Sequence, residues 1–266
     1  MSNVFNIKRF WKYFRFDLRN FADRYGISLV IFTIMPLIVY LFAGVIAVIF
    51  DESHMWHVDA TSCATSAISI ALVSMVFSFP PKMYGYLTSK QGGSTWAMMP
   101  VTALEKLVSM LIISLILAPG IVLLGNVLFN EVITLFDHSY TNELSILFST
   151  SLLEGDTPLL VNICPLFSIW LEAAELMIFF LLGALVFKKA KAGKSFLSLL
   201  LLIMLFVLAI FLIFGSLDDD RIEDYLFSVN EETAVFLLNA IVNVALFLWF
   251  AVLAIALFFR IKRIKY

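Results

Sequence analysis

Two carboxylates, Glu172 and Glu175, stand inside the otherwise apolar stretch WLEAAELMIFFLLG. Three positions apart on a helix, they share one face. Asn239 and Asn243, four apart in a later apolar stretch, share a face in the same way. At about 1.5 Å per residue, the carboxylates lie roughly 20–24 Å from Lys188, and the amides roughly 26–32 Å from Arg260. The amides lie somewhat nearer the outer surface, and the two polar faces are expected to meet. Polar groups in apolar spans are costly and turn toward a bundle interior or water. This set either lines a polar pathway or ties helices together by hydrogen bonds.

Other reactive residues assemble into nothing comparable. His54, His57 and Asp59 sit close together in DESHMWHVDA, but a fourth ligand and the usual spacing are missing, so a solvated loop is expected rather than a metal site. All three histidines fall between apolar runs, and no Ser/His/Asp triad can be built from them. There is no His-Glu-x-x-His and no Gly-x-x-x-x-Gly-Lys-Ser/Thr, so the chain is not expected to bind ATP in a phosphate loop. No catalytic residue, metal or cofactor is expected, and nothing in the charge pattern points to nucleic acid.

The elements that carry these residues follow from composition. Hydrophobic residues make up 62% of the 266-residue chain and charged residues 14%; ordinary soluble domains have about 45–50% and about 25%. Charges cluster between six apolar runs, at 27–50, 61–79, 107–129, 164–187, 196–215 and 233–259. Runs of about 20 apolar residues cross the hydrocarbon core as helices, because lipid offers no partner to a free backbone group. The expected fold is an all-α integral membrane protein with six transmembrane helices across 27–259, and a basic tail at 260–266.

Basic residues set the expected orientation. Lys8, Arg9, Lys12, Arg15, Arg19 and Arg24 precede the first run, and Lys82, Lys90 and Lys106 separate the second from the third. Lys188, Lys189, Lys191 and Lys194 separate the fourth from the fifth, and Arg260, Lys262, Arg263 and Lys265 follow the sixth. The opposite side carries only Arg221. Basic loops stay in the cytoplasm, so both termini are expected there.

Within 1–26, Ile7, Phe10, Trp11, Phe14, Leu18 and Phe21 recur every three or four positions, with Lys8, Lys12, Arg15 and Arg19 between them. That spacing predicts an amphipathic helix lying in the membrane interface, its basic side toward anionic lipid. Gly26 is expected to turn the chain into the first span, and Pro36 and Pro119-Gly120 to kink spans one and three. Cys63 and Cys164 each open or adjoin a run; they either pair or serve as small apolar residues.

The longest polar interruption on the basic side is 80–106, PPKMYGYLTSKQGGSTWAMMPVTALEK. Pro80-Pro81 is expected to end span two, Ser94 to cap a short helix through Ala97 and Met98, and Pro100 to stop it. Thr102-x-x-Glu105 predicts a capping box that opens span three.

MMPVTALEKLVSMLI resembles the Pro-Val-Ser/Thr-x-x-Glu-Lys stretch of ABC-2 type transporter permeases, and FKKAKAGKS more weakly resembles a later loop of Bacteroidetes-type members. The resemblance implies a six-span permease subunit of an exporter in a bacterial inner membrane. It implies that the 80–106 loop contacts a separate cytosolic ATPase through Lys90, Gln91, Ser94, Trp96, Met98 and Pro100, and that the subunit pairs with a second copy or a sister permease. A non-transporting scaffold of the same architecture, or an intramembrane enzyme using Glu172 and Glu175, are the other readings.

Overall fold

The computed structural model describes residues 5–50, 58–137, 165–214 and 231–264. Among these residues the regular elements are all helices, with no strand. In chain order the helices are α1 (Ile7–Thr33), α2 (Met35–Phe50), α3 (Ala60–Met83), α4 (Lys90–Met98), α5 (Ala103–Leu111), α6 (Ala118–Phe136), α7 (Pro165–Val186), α8 (Lys191–Phe214) and α9 (Glu231–Lys262). A 3₁₀ turn (Gly85–Thr88) precedes α4, and a π-helical segment (Ile112–Leu117) joins α5 to α6. Four helical stretches among the described residues are long and apolar enough to cross a membrane: Ile7–Phe50, Ser62–Met83, Ala103–Phe136 and Lys191–Ala209. The remaining two apolar runs are covered by α7 and α9.

The packing centre is α3, which touches α1, α2, α6, α7 and the start of α8; α7 in turn packs on α8 and α9. Tyr25, Met75, Phe79, Met110, Ile113, Met177 and Phe180 fill the space between them and are almost wholly buried. The Tyr25 and Phe79 rings meet edge to face at 4.9 Å, and the Tyr25 hydroxyl shares a 2.6 Å hydrogen bond with Ser78. A buried tyrosine so placed adds packing area without stranding its hydroxyl.

Pro80-Pro81 does not end the second apolar run as expected, whereas Pro36 does break the first. Helix α3 runs through Pro80 and Pro81 to Met83, because proline keeps a helical φ and Tyr84 N–H caps the Pro80 carbonyl at 3.0 Å. Helix α1 does not turn at Gly26; it continues to Thr33 and is interrupted at Ile34. The cause is two residues on: Pro36 has no N–H to give the Phe32 carbonyl. Asn126 of α6 supplies the missing donor, with Nδ2 3.0 Å from Phe32 O and 2.7 Å from Val122 O. Its Oδ1 is buried with no hydrogen-bond partner among the described residues, the cost of using a whole carboxamide to replace one amide. In the third run, Ala118 N–H donates five residues back to Ile113 O, so the irregularity precedes Pro119 as a widened turn that absorbs its missing donor.

Helix α1 turns one face to the rest of the protein. Phe10, Tyr13, Asp17, Phe21, Tyr25 and Leu29 face the protein, whereas Ile7, Trp11 and Leu18 are exposed. Of the apolar residues that define the amphipathic spacing, Phe10 and Phe21 are buried on that face.

Helices α7 and α8 lie close together at Gly183, where an added Cβ would fall 1.9 Å from Ser195 Oγ and 2.8 Å from Ser195 Cβ. Gly183→Ala is expected to cost about 1–3 kcal/mol through overpacking, more than the roughly 1 kcal/mol that alanine gains in helix propensity. The double variant Gly183→Ala/Ser195→Gly removes the obstructing atoms and should recover most of the loss. Thermal midpoints of the purified protein in detergent measure both; a double variant no better than the single would disprove the contact.

Candidate functional site

The 84–102 segment is ordered by local hydrogen bonds and then pinned from three sides. Ser89, not Ser94, caps α4: its Oγ accepts from Gly92 N–H at 3.2 Å and donates to Tyr86 O at 2.6 Å. Helix α4 therefore begins at Lys90 and includes Gly92 and Gly93. Gly92 has a steric reason to be there, since a Cβ would lie 2.7 Å from both Tyr86 O and Tyr86 Cδ2. A backbone oxygen cannot rotate away. Gly92→Ala should unseat the first turn of α4 and cost about 1–3 kcal/mol, read as a lower thermal midpoint and faster proteolysis after Lys90.

Trp96 is the inward anchor of α4. It is 3% exposed, its Nε1 donates to Tyr13 Oη at 2.9 Å, and its own carbonyl accepts from Lys106 Nζ at 2.7 Å. The same ammonium stands 4.2 Å from the indole centroid. One turn further along α1, Asp17 is 2% exposed and accepts from Ser109 Oγ at 2.7 Å and Tyr84 Oη at 3.4 Å. Arg24 lies over the Tyr86 ring at 3.9 Å. From the start of α8, Lys191 Nζ donates to Gly85 O and Thr88 Oγ1.

Glu105 closes the arrangement. The expected capping box is present in full, with Glu105 N–H to Thr102 Oγ1 at 3.3 Å and Thr102 N–H to Glu105 Oε2 at 2.9 Å. The carboxylate does more than cap. It accepts Asn6 N–H at 2.8 Å and pairs with Arg9, whose Nη2 lies 2.7 Å from Oε1 and Nε 2.9 Å from Oε2. Asn6 Oδ1 in turn caps α1 by accepting from Lys8 and Arg9 N–H. One carboxylate thus joins the first turn of α1 to the first turn of α5.

Two carboxyl groups of this cluster, both preceding apolar runs, are displaced in opposite directions. Burial pushes Glu105 up, but Arg9 and the amides of Asn6 and Thr102 outweigh it and hold the carboxyl at about 2. Burial raises Asp17 to about 6, against the pull of the Ser109 and Tyr84 hydroxyls and the Arg24 charge.

The residues expected to meet a partner divide clearly. Lys90 and Gln91 open α4, with side chains outside the described residues. Ser94 is half-buried within α4, and Trp96 faces inward. Met98, 82% exposed, and Pro100, also exposed, lie at the outward end of the segment beside Thr95 and Ala97. In the apolar region α7 and α9 do pack together. Glu175 there is half-buried, whereas the side chains of Glu172, Asn239 and Asn243 lie outside the described residues. Asp59 serves as the N-cap of α3, accepting Ser62 N–H at 3.0 Å, while His54 and His57 lie outside the described residues. Cys63 is buried, and Cys164 lies outside the described residues.

Tyr13 and Asp17 were not singled out from the sequence. The signal was present: 10, 13, 17, 21 and 25 follow three- and four-residue spacing with a single charge among them. The chain matches no known protein family, no curated protein and no solved structure.

Proposed function

We propose that this chain is the membrane-spanning permease subunit of an ABC-type exporter, with six spans, both ends in the cytoplasm, and a separate ATPase engaged by the 80–106 loop. It would sit in a bacterial inner membrane and work with a second copy or a sister permease. The observation that carries this reading is the seating of α4. A nine-residue helix is fastened to α1 through Trp96–Tyr13 and to α5 through Lys106, while Met98 and Pro100 at its far end stay exposed. A helix held this way transmits a push to the spans on either side instead of folding away from it.

The test is retention of a phosphate-loop ATPase by the affinity-tagged full chain, extracted from its own membrane. Ala97→Glu/Met98→Glu places two charges on the exposed end of α4 without touching the buried contacts. Retention is expected to fall at least tenfold while the thermal midpoint holds. If no ATPase is retained by the unaltered chain, or if the charged variant retains it equally, the loop is not an ATPase contact. ATP hydrolysis by the complex without substrate movement would reduce the assignment to an accessory subunit.

A further inference from the structure

We propose that the outward face of α1, at Lys8, Trp11, Lys12 and Arg15, is a binding site for the headgroup of an anionic phospholipid. Helix α1 has two separate faces. Phe10, Tyr13 and Asp17 turn inward with the clamp described above. Ile7, Lys8, Trp11, Lys12 and Arg15 line an open groove on the other side. Trp11 is 51% exposed, and the Arg15 guanidinium stands 5.8 Å from its ring. A tryptophan so placed sits at headgroup level, its apolar body toward the acyl chains.

Charge complementarity selects the occupant. Lys8, Lys12, Arg15 and Arg19 form one stripe at three- and four-residue spacing, all exposed, and none makes an ion pair among the described residues. Between positions 7 and 19 the single acidic residue is Asp17, buried on the opposite face. Exposed Ile7, Phe16 and Leu18 interleave with the cations. A soluble phosphate would leave those apolar groups in water, whereas a bilayer surface covers them and presents the phosphate together. The inward face of the same helix carries Arg9, Tyr13 and Asp17, bonded to Glu105, Trp96 and Ser109. A lipid that fixes α1 therefore also steadies α4.

The inference rests on the membrane placement proposed above and not on the ATPase partnership. Native mass spectrometry of the detergent-purified full chain, titrated with phosphatidylglycerol or phosphatidylcholine of identical acyl chains, tests it. At about 1 kcal/mol per basic side chain near an anionic surface, Lys8→Gln/Lys12→Gln/Arg15→Gln should weaken phosphatidylglycerol binding about a hundredfold. Lys8→Arg/Lys12→Arg/Arg15→Lys, which keeps the charge, should retain it, and millimolar inorganic phosphate should not compete. Equal binding of the two lipids, undiminished preference in the neutral triple variant, or displacement by inorganic phosphate would each overturn the site. A chain that stays soluble without detergent would instead overturn the membrane placement.

Discussion

Trp96→Ala is expected to lower the thermal midpoint more than any other single change in the 84–102 segment. The indole is 3% exposed, and emptying such a site costs about 3–5 kcal/mol in lost transfer energy and residual cavity. Two further losses act in the same direction. Tyr13, itself buried, is left with a hydroxyl whose 2.9 Å donor is gone. Lys106 loses the ring beneath its ammonium, though it keeps the backbone carbonyl of residue 96. Trp96→Phe separates these contributions: it keeps most of the packing and removes the indole N–H, so it should cost about 1 kcal/mol from the hydrogen bond and a smaller packing loss. Thermal midpoints in detergent, with proteolysis after Lys90 as a local probe of α4, decide the matter. An alanine variant with wild-type midpoint and wild-type cleavage would place the ring on the surface. The expected outcome also governs how partner binding is tested. A Trp96 variant that loses its ATPase reports an unseated helix, whereas charges at Ala97 and Met98 report the contact itself.

Local sequence and tertiary partners specify different parts of this fold. Long apolar runs specify helices strongly, because lipid or a packed core leaves the backbone no other way to satisfy itself; each of the six runs is helical over its described part but for the break at Ile34 and the last residue of the fourth run, Phe187. The Thr102/Glu105 capping box is equally legible, since both bonds are local. Legibility ends where a tertiary partner overrides a local preference. Apolar residues occupy both faces of α1, so periodicity alone could not say which face meets protein; Tyr13 and Asp17 reveal it only once Trp96 and Ser109 are brought opposite them. Pro36 marks a break in sequence, but the donor that repairs it, Asn126, is 90 residues away along the chain. Ser89 and Ser94 are both plausible caps by residue type; Tyr86 O, which a Cβ at position 92 would meet at 2.7 Å, favours the earlier one by requiring glycine inside the first turn. The Arg9–Glu105 pair spans 96 positions, and no local rule predicts it.

That pair carries the second large effect, and its signature is a pH profile. Glu105→Ala removes a fully buried carboxylate and strands the Asn6 and Thr102 amides, at a cost of about 3 kcal/mol. Glu105→Gln keeps an acceptor for those amides and loses only the ionic contribution, so it should fall between alanine and wild type. Because the folded-state value of Glu105 is lowered from 4.5 to about 2, its contribution is complete above pH 4.5 and drains away as the pH falls toward 2. Asp17 behaves with the opposite sign. Its value is raised from 3.8 to about 6, so the folded chain holds that proton more tightly than the unfolded chain, and stability decreases as pH rises from 3.8 through 6. Asp17→Asn fills the same space without the charge, and its amide oxygen accepts from Ser109 as the carboxylate did. The thermal midpoint of Asp17→Asn should therefore lose the decline across pH 4–6 and, at pH 8, equal or exceed that of wild type. Glu105→Ala should keep that decline and lose the acid-side fall below pH 4.5. Profiles of Glu105→Ala and wild type that run parallel down to pH 3 would show that Glu105 is not an ionised partner of Arg9.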